Sequence, residues 1–60
     1  MRVRDLDFDF ADALSDAAVN AASDWDVRFI EGLTAKHEAW GAEMFITPAQ
    51  LDQLNRINGE

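Results

Sequence analysis

Ile46-Thr47-Pro48-Ala49-Gln50-Leu51-Asp52-Gln53-Leu54-Asn55-Arg56-Ile57-Asn58-Gly59, ITPAQLDQLNRING, spells out a helix from its start to its stop. Thr47 is a natural N-cap, because its hydroxyl accepts from a backbone N–H that the first helical turn leaves without a partner. Pro48 fits the first helical position, where its missing N–H is no loss, and Gln50, three residues after the cap, completes a capping box. Ile46 before the cap and Leu51 at the fourth helical position are placed to form a hydrophobic staple. Leu51, Leu54 and Ile57 share one face at helical spacing, so that face is expected to be buried. Gly59 supplies a residue that adopts the left-handed conformation at a helix end without steric conflict.

Upstream, SDWDVRFIEGLTAKHEAWG, residues 23–41, reads as a second helix starting at Ser23 or Asp24. Asp24 and Asp26 put carboxylates in the first turn, where the helix dipole favours them, and Gly41 is a natural stop. Phe29, Leu33 and Trp40, with Ile30 and His37 beside them, recur at helical spacing and predict the buried stripe. Gly32 inside a helix costs up to about 1 kcal/mol relative to Ala, which suggests a close approach by another backbone. Asp24 with Arg28, and Asp52 with Arg56, stand at the spacing of ion pairs along a helix. Between this helix and Thr47, the apolar Met44-Phe45-Ile46 is read as a buried connection.

The first segment changes period along its length. LDFDF, residues 6–10, alternates with period two, while FADALSDAAVNAA, residues 10–22, repeats with period 3.6. An extended stretch with Leu6, Phe8 and Phe10 on one side is expected to feed a helix capped at Asp7 or Asp9 and running to about Ala21. On that helix Phe10, Ala13, Leu14, Ala17 and Ala21 lie together, with Asp9, Asp12 and Asp16 on a separate ridge. The expected fold is therefore all-α: one compact three-helix domain over residues 1–60 with an extended N-terminal segment.

A chain of 60 residues buries only about 60% of its unfolded surface. Its apolar fraction of 48% includes ten alanines, so stability has to come from helix packing of the larger side chains or from a partner. With no cysteine there is no disulfide framework and no Cys-rich zinc site. A formal net charge of -7 opposes direct binding to nucleic-acid phosphates, which requires Lys and Arg, and favours the basic surface of a host protein or ribonucleoprotein complex as partner. No apolar run approaches the roughly 18 residues of a membrane span, and MRVRDLDF lacks the apolar stretch of a signal peptide. A soluble protein of the cytoplasm, with no membrane contact, is the expectation.

The residues offer little for catalysis. There is no nucleophile and base at diagnostic spacing, no glycine-rich phosphate loop and little volume for an enclosed pocket, so neither an enzyme nor a cofactor is expected. Asp5, Asp7, Asp9 and Asp16 match positions one, three, five and twelve of a calcium-binding loop. Phe10 then occupies the place that requires glycine, and Asp12 the place of an apolar anchor, which disfavours calcium. His37 lacks the second histidine of a helical zinc site. The acidic ridge of Asp5, Asp7, Asp9, Asp12 and Asp16 holds more promise as a partner-binding surface. Asp12 and Asp16 repel each other at i,i+4, and no basic residue between Asp5 and Asp16 relieves them. A solvated, solubilising face is the plainer reading of the same acids. Trp25, in the first turn of its helix, is a candidate anchor at an interface, whereas the spacing of Trp40 assigns it to the core.

The run Thr47-Pro48-Ala49-Gln50-Leu51-Asp52-Gln53-Leu54-Asn55-Arg56-Ile57, of pattern T-x-x-Q-L-x-x-L-x-x-I, together with Trp25, Phe29, Leu33 and Gly41, resembles a short helix–loop–helix segment of small phage and prophage proteins and of some proteins of DNA metabolism. In size and charge the chain also resembles phage-encoded inhibitors of host machinery, including anti-CRISPR proteins, some of which present acids to nucleic-acid-binding grooves. These resemblances imply a protein that binds and inhibits a host nucleic-acid-binding complex by mimicking nucleic acid. The alternative is a helical accessory or self-associating structural protein with an apolar interface.

Overall fold

Three side chains start three helices in the computed structural model, which describes residues 1–59. Asp9 Oδ1 accepts from the backbone N–H of Ala11 at 3.0 Å and of Asp12 at 3.3 Å, opening α1 (Phe10–Asn20). Ser23 Oγ accepts from Asp26 N at 3.1 Å at the start of α2 (Asp24–Trp40). Thr47 Oγ1 accepts from Gln50 N at 3.1 Å while Gln50 Oε1 accepts from Thr47 N at 2.9 Å, so the capping box expected for α3 (Pro48–Ile57) is closed in both directions. Each cap satisfies donors that would otherwise be left to solvent, and the helices can begin at the surface of a very small domain. Gly41 (φ 57°) and Gly59 (φ 86°) sit at the helix ends where the sequence places stops. The protein is an all-α, three-helix domain.

α1 packs against both α2 and α3. It buries Phe10, Leu14 and Ala17 against Ile30 and Leu33 of α2 and Leu54 and Ile57 of α3. Ala17 has no exposed surface, which lets a neighbouring helix come close at that turn. Leu54, also fully buried, is the α3 residue at the centre of the core. Leu51, Phe29, Leu6 and Ala13 close its margins.

The remaining core residues come from a strap that sequence periodicity does not anticipate. Val3 N donates to Met44 O at 2.9 Å and Ile46 N donates to Met1 O at 2.8 Å, pairing the N-terminal segment antiparallel with the link before α3. Pairing imposes alternation on the link: Met44 and Ile46 point into the core and Phe45 points out. Val3 joins them inside and then starts a short 3-10 turn, Val3–Asp5, so the N-terminal segment is not extended throughout.

That strap also corrects the expected position of Trp40. At helical spacing Trp40 does align with Phe29 and Leu33, but it is the last residue of α2, and Val3, Met44 and Ile46 already fill the core at that end. Trp40 is left 68% exposed and Phe45 67% exposed. Phe8, expected on the same side as Leu6 and Phe10, is also exposed. A second correction concerns Gly32: a Cβ placed there would meet nothing within 4 Å, so no backbone approaches it. The expected pairs along the helices do not form either. Arg56 reaches across to Asp26, at 3.2 Å, in preference to Asp52 beside it, and Arg28 joins no ion pair among the described residues.

Two stability changes of opposite sign follow. Gly32→Ala, on an open helix surface, should raise unfolding free energy by about 0.5–1 kcal/mol through helix propensity. Thr47→Ala, which removes the cap acceptor, should lower it by about 0.5–2 kcal/mol. Urea midpoints for the two variants against wild type read both effects; a Gly32→Ala midpoint below that of wild type would mean that the position is sterically restricted after all.

Candidate functional site

Asp9 at the cap of α1, Asp12 one turn on and Asp16 a further turn on lie along one side of a surface groove between α1 and α3. Asn55 of α3 and Asn58, directly after it, line it from the other side, and Asn20 at the end of α1 and Phe8 just before its cap complete the lining. The helical spacing of the acids, three and four residues, is what places them on a single ridge. The asparagines tie the two walls together: Asn58 Nδ2 donates to the carbonyl of Ala13 at 3.2 Å, and Asn20 Nδ2 donates to Asn58 Oδ1 at 3.4 Å. Such bonds hold the width of the groove while leaving the carboxylates of Asp12 and Asp16 facing solvent.

No cation lines this groove among the described residues. The reason lies in the distribution of five basic side chains. α1 has none. The one basic residue of α3, Arg56, is turned to the far side, where its Nη2 donates to Asp26 Oδ1 at 3.2 Å and its Nε donates to Gln53 Oε1 at 2.9 Å. Arg2 and Arg4 both lie on Glu43, at 3.6 and 2.8 Å. The two nearest-neighbour acids of the ridge, Asp12 and Asp16, therefore keep their mutual repulsion unrelieved.

The structure divides the five acids of the sequence ridge. Asp9, Asp12 and Asp16 share the groove, whereas Asp5 and Asp7 are exposed outside its lining. Asp5 has a local duty: its Oδ2 accepts from Arg2 N at 3.2 Å and steadies the 3-10 turn. Asp9 likewise combines the groove with its capping role. Trp25 does not touch the groove at all. Its indole stacks on Phe29, with ring centroids 5.3 Å apart and planes within 8°, and the Arg56 guanidinium lies 5.9 Å from its centroid. Half of its surface stays exposed, yet it also roofs the ion pair of Asp26, the one buried charged residue among those described. The groove asparagines were not singled out by sequence reasoning. Their signal is positional, since Asn20 ends α1 and Asn58 directly follows α3.

Among the described residues, no three His, Cys, Asp or Glu side chains are grouped to hold a metal ion. The acids of the calcium-loop spacing are divided between a 3-10 turn, a bend, a cap and a helix. His37 is half-buried with its ring edge-on to Phe10 at 5.3 Å, a packing contact at the margin of the core. No helix among the described residues is long and apolar enough to cross a membrane. Comparison with known protein families, curated proteins and solved structures finds no match to this chain.

The bridge beneath Trp25 can be separated from the groove by mutation. Arg56→Met keeps the apolar stem but leaves the nearly buried Asp26 carboxylate without its cation, and should lower stability by about 1–3 kcal/mol. Adding Asp26→Asn should restore part of that loss, because the stranded charge is gone. Thermal and urea melts of the single and double variants provide the check.

Proposed function

We propose that this protein is a stoichiometric inhibitor of phage origin, acting in the host cytoplasm, whose α1–α3 groove takes a basic element of a nucleic-acid-binding protein or ribonucleoprotein complex. The observation that carries the reading is the alignment of Asp9, Asp12 and Asp16 along one wall of a groove that has no basic lining residue. Successive carboxylates along a helix offer a row of negative charge to Lys and Arg side chains that ordinarily contact phosphates. The groove amides add donors and acceptors beside that row, and Phe8 adds an apolar surface to the lining. Inhibition then needs no chemistry: occupying the basic surface excludes nucleic acid from it.

Charge supplies the attraction and also the speed. A body of formal charge -7 steers a basic partner toward it, and the advantage falls as salt rises. An accessory or self-associating role through an apolar surface is favoured by a different observation, the exposure of Trp40 and Phe45 at the far end of α2.

Asp12→Lys with Asp16→Lys reverses the ridge at two exposed positions that face away from the core, so helix content should be unchanged by circular dichroism. Asp9 is left intact because it caps α1. Parallel affinity capture from a bacterial lysate should retain a basic nucleic-acid-binding protein on wild type only. That protein should associate with wild type roughly 10–1,000-fold faster than with the variant at low salt, and DNA or RNA should displace it. Equal retention on both, with equal salt dependence, would remove the groove as the binding surface.

A further inference from the structure

Beyond the groove, the strap and the end of α2 enclose a second open cleft. Trp40 and Phe45 stand at its sides, Met44 lies in its lining, and Arg2 and Lys36 are on its rim with Glu43. Its aromatic walls are the two most exposed aromatic side chains described, and the Arg2 guanidinium lies 4.8 Å from the Phe45 centroid. The charge is the reverse of the molecule's. Arg2 and Lys36 line it against Glu43 alone, and Lys36 joins no ion pair among the described residues. A fitting occupant brings an apolar side chain for the aromatic walls and a carboxylate for Lys36 and Arg2.

The chain itself displays that combination. Asp7-Phe8-Asp9 lies just before α1, all three residues exposed, and Phe8, 42% exposed, is not part of the core. We propose that the Trp40/Phe45 cleft seats the Asp7-Phe8-Asp9 turn of a second copy of this chain. Phe8 of one copy enters between Trp40 and Phe45 of the other, covering Met44, and the Asp7 carboxylate meets Lys36 and Arg2. Asp9 contributes less to this contact because Oδ1 is committed to the cap of α1. In a twofold pair each copy is both donor and acceptor, so the contact is made twice. A nucleic-acid strand also carries planar rings and negative charge, but it sets a phosphate at every nucleotide, whereas Asp7-Phe8-Asp9 brings one aromatic ring and its neighbouring carboxylates to a single point. The proposal does not depend on the groove reading, since Asp12 and Asp16 take no part in the contact. It does link the two surfaces, because Phe8 and Asp9 also line the groove and cannot serve a second copy and a groove ligand together.

Sedimentation velocity from roughly 10 μM to 1 mM, a range suited to a weak pair, tests it on the full chain. Wild type should associate with rising concentration. Lys36→Glu and Asp7→Lys, each exposed, should singly weaken association by about tenfold or more through like-charge contact. Mixing the two variants should restore it, because each cleft then meets an opposite charge. Phe8→Ala and Trp40→Ala should weaken association without loss of helix by circular dichroism, and Asp12→Lys/Asp16→Lys should leave it in place. A wild type that stays monomeric throughout, a mixture of the charge variants that fails to associate, or an unchanged constant in Phe8→Ala and Trp40→Ala would each overturn the proposal. A monomer that binds a synthetic acidic peptide bearing Phe would overturn it too, by giving the cleft a different occupant.

Discussion

Two backbone hydrogen bonds, Val3 N to Met44 O and Ile46 N to Met1 O, tie together segments more than forty residues apart in sequence, and the way the core is closed depends on that tie. They turn a linker into a paired segment, and pairing fixes which of its side chains face inward. Met44 and Ile46 fill one end of the core with Val3 because of it. Trp40 and Phe45 are on the outside for the same reason, so the exposed aromatic cleft is a by-product of how the core is closed. In a chain with few large apolar residues, leaving two aromatics in water gives up roughly 1.5–3 kcal/mol of burial for each, which makes their position the least expected feature of the fold.

Charge is sorted as firmly as hydrophobicity. The basic side chains of the N-terminal segment are held on Glu43, Arg56 is held on Asp26 beneath Trp25, and α1 carries acids only. The outcome is an acidic groove and a cationic, aromatic cleft on one small body. Neither surface follows from net charge alone, since a charge of -7 spread evenly would have produced neither.

Much of this was legible from local chemistry. Thr47, Ser23 and Asp9 announce the helix starts because capping depends only on residues three apart, and Gly41 and Gly59 announce the ends because left-handed backbone favours glycine. The ridge of Asp9, Asp12 and Asp16 was legible as well, being a matter of periodicity within one helix. What could not be read were relations between segments. The burial of Val3, the outward turn of Phe45 and the exposure of Trp40 all depend on pairing across the whole chain, and the asparagine wall of the groove depends on how α3 lies against α1. Helical spacing also favoured Asp52 as the partner of Arg56, but tertiary packing brings the long guanidinium stem to a carboxylate that has lost most of its water. A carboxylate in that position gains more from a partner than one in solvent does.

The strap has a consequence for the order in which the two surfaces come into being. Joining residue 3 to residue 44 closes a long loop, and the entropy of that closure has to be met before the pairing gives anything back. The contacts of α1 with α2 and α3 do not require it. Fraying of the first few residues would uncover Met44 and release Arg2 and Phe45, dissolving the aromatic cleft, while the groove between α1 and α3 kept its walls. The two surfaces therefore rest on different contacts: the groove on the packing of α1 against α3, and the cleft on the hold of Val3 on the chain that leads into α3.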